Sequence, residues 1–506
     1  MSGKSFPRLT VSATLYESSL RALGISPPKL GRSGSRWIPF GVLTLGIVLL
    51  FWTAAHTYFG IDDFFWLYDG SHLMSSVSSW MLAFSSSNGS GQYRPLTENV
   101  FWWISWRIFG FDPFGYHLVN LIVFIVTSCV LYKVFHVVYR NRSLALLAAS
   151  LFAFSATHYT ALAWASGMAG LGALLFAALF LLNITRNRNT HALVFFILCL
   201  LSNETTIILP FLALAYIVIG EHVAFPTAVR RTGLLWMILL GYLIFRFAIA
   251  GLPLASSGPF AVVLSLPGWL FLIRSSLAHI LGLSPTLRNV LGGASALWRL
   301  AATAFLVIWI LCLGVLGLFL ANNFLNRRAT LPRETHLFWV GVLWFVFGMA
   351  PILPFSRDFS NYNLAIPLIG VSLCITSLVQ ITMQYGWQTR IMSLCLIIAY
   401  FAVNWIGIYG PGGLNAVDGI RVLARADRVA TYAISTVASA SRGPNIIDVT
   451  GSPTTSKAVF QSPWLMDLLD PHGTMYFGTH FRSANLVLHL SGTYMITIVR
   501  LSGGAG

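Results

Sequence analysis

The sequence predicts an all-α polytopic membrane protein that ends in a small α/β module. The mean hydropathy is +0.75, 56% of the residues are hydrophobic and only 9% are charged. Apolar runs of ~18–22 residues recur along the chain, and this is the length that a helix needs to span a bilayer. The net charge of +16 does not indicate nucleic-acid binding, because the arginines cluster in short loops between these runs. That distribution predicts membrane topology and contact with anionic lipids.

The first part of the chain sets the orientation. Residues 1–36 are polar and basic, so they are predicted to stay in the cytoplasm. The membrane domain is predicted over residues 37–409. In its first half, the spans are expected near residues 37–55, 114–135, 144–156, 164–182, 192–201, 204–218 and 234–250.

Between the first two spans, residues 56–113 form a loop on the outer side. Within it, residues 71–84 are predicted to be an amphipathic helix on the membrane surface. Pro95 is expected to open a Trp-rich helix, Leu96–Phe109, because proline suits the first turn of a helix.

In the second half, spans are expected near residues 298–320, 336–353, 363–383 and 391–409. The apolar run 260–283 has no partner for a second crossing, so it either re-enters the outer face or pairs with a helix not evident in the sequence. The arginine-rich loops then predict about 11 spans, with about 13 as the alternative, and an outer C-terminus. Residues 410–506 are predicted to be a small extracytoplasmic module with a helix near 419–437 and strands near 484–489 and 494–501.

Asp62 and Asp63 are the candidate catalytic residues. Adjacent carboxylates repel each other, and aromatic neighbours bury them, so both effects raise the pKa toward the range of a general base. The same pair could instead hold a divalent cation, which would keep both groups ionised. The plainer interpretation is a solvated acidic loop.

Further charged groups are predicted on the outer side. They suit a lipid-phosphate donor, because cations would hold the phosphate leaving group while a carboxylate deprotonates an acceptor hydroxyl. The predicted phosphate-binding residues are Arg94, His158, Arg246, Arg274 and Arg357. Glu204 and Arg246 lie on or at the ends of apolar spans, where an ionisable group indicates function or a charge partner. An ion pair between these two would be purely structural, and Arg94 could equally be an interfacial anchor.

The order of several motifs resembles a known superfamily. Asp62-Asp63-Phe64 is followed by Tyr93-Arg94-Pro95-Leu96 and by the segment Phe109–Asn120. Further matching segments are His158–Gly167, Ser202-Asn203-Glu204 with Leu209-Pro210, and Tyr242–Arg246. Together they resemble the GT-C glycosyltransferases, and more closely the protein O-mannosyltransferase-like branch that includes the membrane part of the tetratricopeptide-containing O-mannosyltransferases. The chain departs from that branch at Thr160, Met168 and Asn203, where the branch often has Glu, Arg and Lys.

The resemblance covers residues 37–250 well and 251–409 loosely, and it does not extend to the C-terminal module. It implies a GT-C-like fold and an enzyme that takes a sugar from a polyprenyl-phosphate donor, with inversion at the sugar carbon. Asp62 or Asp63 would be the base on the outer face, and Glu204, Tyr93 and Asn120 would order the site or the substrate. The superfamily allows a divalent metal, which Asp62 and Asp63 would hold, but does not require one. The acceptor would be a glycan, lipid or protein, and the membrane a bacterial inner membrane or the endoplasmic reticulum.

Two alternatives stay open. One is a non-catalytic relative that keeps the aspartate pair without turnover. The other is a transporter or flippase for lipid-linked sugars, which would place its ionisable residues near the middle of the membrane and show related halves. The acidic residues here cluster at one face, and the sequence shows no internal repeat, so transport is the less favoured interpretation.

Overall fold

The computed structural model describes residues 36–60, 62–72, 76–86, 92–250, 265–280, 296–326, 333–355, 361–384, 386–410 and 413–417. It also describes positions 424, 427, 428, 431, 432 and 435, and the strands at 446–450, 474–477, 486–490 and 496–501. The chain divides into a unit spanning Met1–Val42 and a unit spanning Leu43–Gly506. The described part of the first unit is residues 36–42, and the predicted basic segment before it lies outside the described residues.

The described helices follow the predicted apolar runs closely. In the first half they are α1 (Ile38–Phe51), α2 (Asp63–His72), α3 (Val77–Ser85), α4 (Phe101–Phe109), α5 (Pro113–Tyr139), α6 (Arg142–Ala153), α7 (Tyr159–Ala163), α8 (Met168–Ile184), α9 (Asn189–Leu200), α10 (Leu209–Ala215) and α11 (Phe225–Phe245). In the second half they are α12 (Leu266–Ile280), α13 (Ala296–Asn326), α14 (Arg333–Met349), α15 (Ala365–Thr382), α16 (Trp387–Tyr409) and α17 (Leu414–Val417).

Five of the described helices are long and apolar enough to cross a membrane, or six if the bent pair Arg142–Ala153 and Ala156–Ala163 forms one span. Shorter apolar helices lie at Ile38–Phe51, Asn189–Leu200, Glu204–Gly220, Arg299–Val315 and Thr335–Met349. The protein is therefore an integral membrane protein. The total of about 11 crossings stays a prediction, since it requires the shorter helices to cross as well.

α5 shows how local sequence fixes the ends of a span. The Asp112 side chain accepts a hydrogen bond from the Phe114 backbone N–H at 3.1 Å, and Pro113 occupies the first turn, where no N–H is needed. The helix ends at Tyr139, because Arg140 adopts a left-handed conformation with φ 54°. Asn141 then caps α6 by accepting from the backbone N–H groups of Ser143 and Leu144.

Two predictions about the outer loop need correction. The aspartate pair does not lie in an irregular loop, because Asp63 is the first residue of α2. The predicted surface helix over 71–84 is divided between the end of α2 and the separate helix α3, which has no buried residue. Val77, Met81 and Leu82 of α3 are exposed, as expected for a helix on a membrane surface.

The uncertain apolar run 260–283 contains α12. This helix has 15 residues, so it is about 22 Å long and does not cover a hydrocarbon core of about 30 Å by itself. It packs against the short helical turns Ala156–His158, Leu353–Phe355 and Asn361–Leu364. These contacts suit the re-entrant alternative.

The C-terminal module contains a four-stranded sheet in the order β2-β1-β3-β4. The strands are β1 (Ile446–Thr450), β2 (Thr474–Phe477), β3 (Leu486–Leu490) and β4 (Ile496–Leu501). β1 is parallel to β2 and β3, and β4 is antiparallel to β3. β3 and β4 lie where the sequence predicts strands. The side of the membrane on which the module lies stays a prediction.

Candidate functional site

Asp63 is a fully buried carboxylate at the start of α2. Its Oδ1 accepts hydrogen bonds from the Ser166 backbone N–H at 2.9 Å and from the Ser166 hydroxyl at 2.6 Å. Its Oδ2 accepts from the Gly60 backbone N–H at 3.1 Å. Both oxygens are thus occupied by neutral donors of the protein, and Asp63 ties the loop before α2 to a segment about a hundred residues later.

Asp62 has a different environment, although it is the next residue. It is only partly buried, and its Oδ1 accepts a hydrogen bond from the Trp164 indole Nε1–H at 3.1 Å. The Trp66 side chain is a second hydrogen-bond partner. Burial raises the pKa of both aspartates, and the negative charge of Asp62 raises the pKa of Asp63 further. We call Asp62 and Asp63 the aspartate pair.

The partners of the aspartate pair come from an irregular segment, Trp164–Ser166, between α7 and α8. A Cβ at Gly167 would overlap the Ala161 carbonyl oxygen, so only glycine allows the chain to turn back this tightly. Asn120 on α5 holds the segment, since its Nδ2 donates to the carbonyls of Trp164 at 3.0 Å and Ala165 at 3.2 Å. This contact suits the site-ordering role predicted for Asn120.

Arg94 lies between two carboxylates. Its Nε donates to Glu204 Oε2 at 2.8 Å, and its Nη1 donates to Glu98 Oε1 at 3.0 Å. Its charge also lowers the pKa of Asp62, so this group is electrostatically continuous with the aspartate pair. The guanidinium is mostly buried in these contacts, which does not fit the alternative of an interfacial anchor.

Glu98 is a site residue that the sequence analysis missed. Its side chain is 7% exposed, and burial raises its pKa to about 8 despite the opposing effect of Arg94. Glu98 is therefore mostly protonated at neutral pH. Its spacing of four residues from Arg94 was the available signal, because side chains at that spacing meet on a helix.

Glu204 and Arg246 complete the cluster. Glu204 Oε1 accepts a hydrogen bond from the Tyr93 backbone N–H at 2.8 Å and lies 3.9 Å from Arg246 Nη2. The Arg246 guanidinium carbon lies 5.8 Å from the centre of the Tyr93 ring, in cation–π contact. We call Arg94, Glu98, Glu204 and Arg246 the arginine–glutamate network. Glu204 contacts Arg94 as well as Arg246, so the two do not form a pair of their own, and a cavity shared with the aspartate pair stays a prediction.

π-Helical turns contribute two residues of the network. Glu98 lies within the π-helix Pro95–Val100, and Arg246 opens the π-helix Arg246–Ala250. Such turns are rare and are frequent at functional sites, because the extra residue rotates side chains out of the regular helical register.

The other predicted phosphate ligands are His158, Arg274 and Arg357. His158 is buried between the rings of Phe124 and Phe152, and its Nε2 bonds the Phe152 carbonyl at 3.0 Å. This is the environment of a core histidine, and it does not favour His158 as a phosphate ligand. Arg274 is exposed on α12 and has no ion pair with the network in the described part of the chain. Arg357 lies outside the described residues.

A metal site on the aspartate pair is not favoured by the side chains around it. Among the described residues, no group of three or more His, Cys, Asp or Glu side chains is arranged to hold a metal ion. Three hydrogen bonds already occupy the oxygens of Asp63. The residues therefore do not form a dedicated metal site.

Comparison with known proteins gives a local match. No family model matches the chain. A protein O-mannosyl-transferase of Caenorhabditis elegans is 32% identical over 130 residues, which is 25% of this chain and 19% of that protein. The match thus spans about a fifth of the relative's length. The resemblance to O-mannosyltransferases noted from the motifs is confirmed over this region.

Among solved structures, ArnT from Cupriavidus metallidurans, crystallised with undecaprenyl phosphate, aligns over 92% of this chain and 94% of that chain. The sequence identity is 10% and the TM-score is 0.38. This score is too low to support a conclusion about the fold or the ligand.

Proposed function

We propose that the protein is a membrane glycosyltransferase of the GT-C type, which moves a sugar from a polyprenyl-phosphate donor to an acceptor hydroxyl. The observation that carries this proposal is the partly exposed carboxylate of Asp62, whose pKa the charge of Arg94 lowers, together with the arginine–glutamate network, in a chain with local similarity to an O-mannosyltransferase. A base next to cations is what transfer from a phosphate leaving group requires.

Asp62 is the base in this proposal, and Asp63 positions it. Asp62 keeps part of its surface open and its burial-raised pKa suits proton transfer near neutral pH, whereas Asp63 is enclosed by Ser166 and Gly60. The acceptor oxygen attacks the anomeric carbon from the face opposite the phosphate, while its proton passes to Asp62. The bond from that carbon to the phosphate oxygen breaks, the electron pair leaves with the phosphate, and the sugar carbon is inverted.

Arg246 and Arg94 hold the phosphate in this proposal. Arg94 lies 2.8 Å and Arg246 3.9 Å from the carboxylate of Glu204, so Glu204 holds both cations at one place. Glu204 orders the site by fixing Arg94 and the Tyr93 backbone. The reaction would occur on the extracytoplasmic side, and a glycan, a lipid or a protein would be the acceptor.

Transfer of radiolabel tests the proposal. Membranes containing the full chain are incubated with polyprenyl-phosphate mannose, glucose or galactose, and the label is followed into protein, lipid and glycan fractions. We expect one donor to support transfer that Asp62→Asn membranes lack. If no donor gives transfer above that of the Asp62→Asn membranes, the proposal of an enzyme fails and the non-catalytic alternative replaces it.

A further inference from the structure

The start of the C-terminal module lies against the loop that leads into the aspartate pair. The described positions 424, 427, 428, 431, 432 and 435 are helical. Ala424, Asp427 and Thr431 are buried, and their spacing places them on one helix face. Tyr432, on the other face, is 72% exposed.

Two contacts join this face to the loop. A Cβ added at Gly60 would lie 3.3 Å from the Cα and backbone nitrogen of Ala424 and 3.4 Å from its Cβ, so the two backbones nearly touch. The Tyr58 hydroxyl hydrogen-bonds the Thr431 side chain, and burial raises the pKa of this tyrosine. Both contacts fall within five residues of Asp62.

Gly60 connects this contact to the aspartate pair through two hydrogen bonds with Asp63. Its backbone N–H donates to Asp63 Oδ2 at 3.1 Å, and its carbonyl accepts from the Asp63 backbone N–H at 3.2 Å. Displacement of Gly60 would therefore displace Asp62 and the first turn of α2, which begins at Asp63. The loop has one support from Trp164–Ser166 and a second from Ala424 and Thr431.

We propose that Ala424 and Thr431 form a positioning element of the catalytic centre, which holds the Tyr58–Gly60 turn so that Asp62 faces its substrate. This assignment rests on the proposed function. It gives the C-terminal module a role in turnover, although the family resemblance does not extend to it. Thr431 and Ala424 act through the loop and do not touch the reacting atoms.

A cysteine pair tests the contact without reference to activity. The 3.4 Å between the added Cβ at Gly60 and the Cβ of Ala424 is close to the ~3.5–4.5 Å found in disulfides. The double variant Gly60→Cys, Ala424→Cys in the full chain should cross-link in membranes under mild oxidation. The matched pair Gly60→Cys, Tyr432→Cys uses the exposed face and should not. Absence of the first cross-link, or equal yield from both pairs, would overturn the proposal.

Conservative variants test the role in turnover. Thr431→Val and Tyr58→Phe each remove the shared hydrogen bond, so each should lower kcat by about fivefold, which corresponds to ~1 kcal/mol for one hydrogen bond. The donor KM should not change, and the double variant should be no worse than either single one. Thr431→Ser, which keeps the hydroxyl, should restore turnover, and Tyr432→Leu on the exposed face should match the wild type.

The outcomes separate the two proposals. Wild-type kcat in Thr431→Val and Tyr58→Phe, together with loss of transfer in Asp62→Asn, would overturn the positioning element and leave the proposed function intact. No transfer by the wild-type chain would overturn the proposed function whatever the cross-link shows. A lower kcat in Thr431→Val that Thr431→Ser does not restore would also count against positioning, since the hydroxyl would then not be the cause.

Discussion

The aspartate pair and the arginine–glutamate network lie in electrostatic contact but are built from different interactions. The aspartates are held by neutral donors, namely the indole of Trp164 and the backbone and hydroxyl of Ser166. The network is held by hydrogen bonds from the Arg94 guanidinium to Glu98 and Glu204, and the contact with Glu204 is an ion pair. Neutral donors leave the negative charge of a carboxylate available for proton transfer, whereas ion pairs cancel it. Under the proposed function, the aspartates carry the base chemistry and the arginines bind the anion.

Substitution of each aspartate by Asn should give the largest expected difference, because the two variants should lose different properties. Asp62→Asn should lower turnover by about a hundred- to ten-thousand-fold with little change in thermal stability, because it removes the base and keeps the shape. Asp63→Asn should instead destabilise the fold by about 1–3 kcal/mol, because its amide would leave a buried donor such as the Gly60 N–H without an acceptor. Label transfer and thermal unfolding of the purified variants measure the two effects. Equal turnover in wild type and Asp62→Asn would contradict the assignment of the base.

Substitution of Arg94 and of Arg246 should have different effects on stability and donor binding. Arg94→Met removes the guanidinium that bonds the buried Glu98 and the partly exposed Glu204, which should cost about 3–5 kcal/mol and reduce the yield of folded protein. Arg94→Lys should not restore it, because an ammonium group cannot reproduce the guanidinium fork. Folded yield and thermal unfolding in detergent measure this loss.

Arg246→Met should mainly weaken donor binding. We expect the donor KM to rise about tenfold, equivalent to ~1.4 kcal/mol of lost binding, while the folded yield stays near that of the wild type. Saturation curves with the radiolabelled donor provide the measurement. An unchanged KM with a lower unfolding temperature would show that Arg246 only joins α11 to the network.

Ser166→Ala tests how much the hydroxyl contact with Asp63 contributes to stability. It removes the 2.6 Å hydroxyl contact but keeps the backbone N–H contact, so the expected loss of stability is about 1–2 kcal/mol. Ser166→Thr keeps the hydroxyl and is the control. A larger loss in the control than in Ser166→Ala would show that space, rather than the hydrogen bond, governs this position.

A further expected effect is a pH dependence at Glu98. Its pKa is raised from 4.5 to about 8 in the folded protein, so the folded state keeps a proton that the unfolded state releases. Stability should therefore fall as the pH rises from about 5 to 8, because in this window the unfolded state binds fewer protons than the folded state. Glu98→Gln should flatten this slope in thermal unfolding measured at several pH values. An unchanged slope would mean that another group carries the proton.

Much of the helical pattern follows from the sequence. The apolar run 114–135 becomes α5, and the run 391–409 lies within α16, because a backbone in lipid must bond internally and therefore forms helices wherever the chain is apolar. The aspartate pair, Arg94 and Glu204 were also predicted, since charged groups are conspicuous in a chain with 9% charged residues.

The tertiary structure decided which of these groups act together. Trp164 and Ser166 lie about a hundred residues from the aspartates, and no periodicity in the sequence pairs them. His158 has the chemistry of a phosphate ligand, but its packing against Phe124 and Phe152 makes it a core residue. The spacing of apolar residues in the local sequence determines which segments form helices and which faces are buried. The environment of a side chain depends instead on elements that are distant in the chain. The contact of Ala424 with Gly60 is such a case, because only the folded chain brings them together.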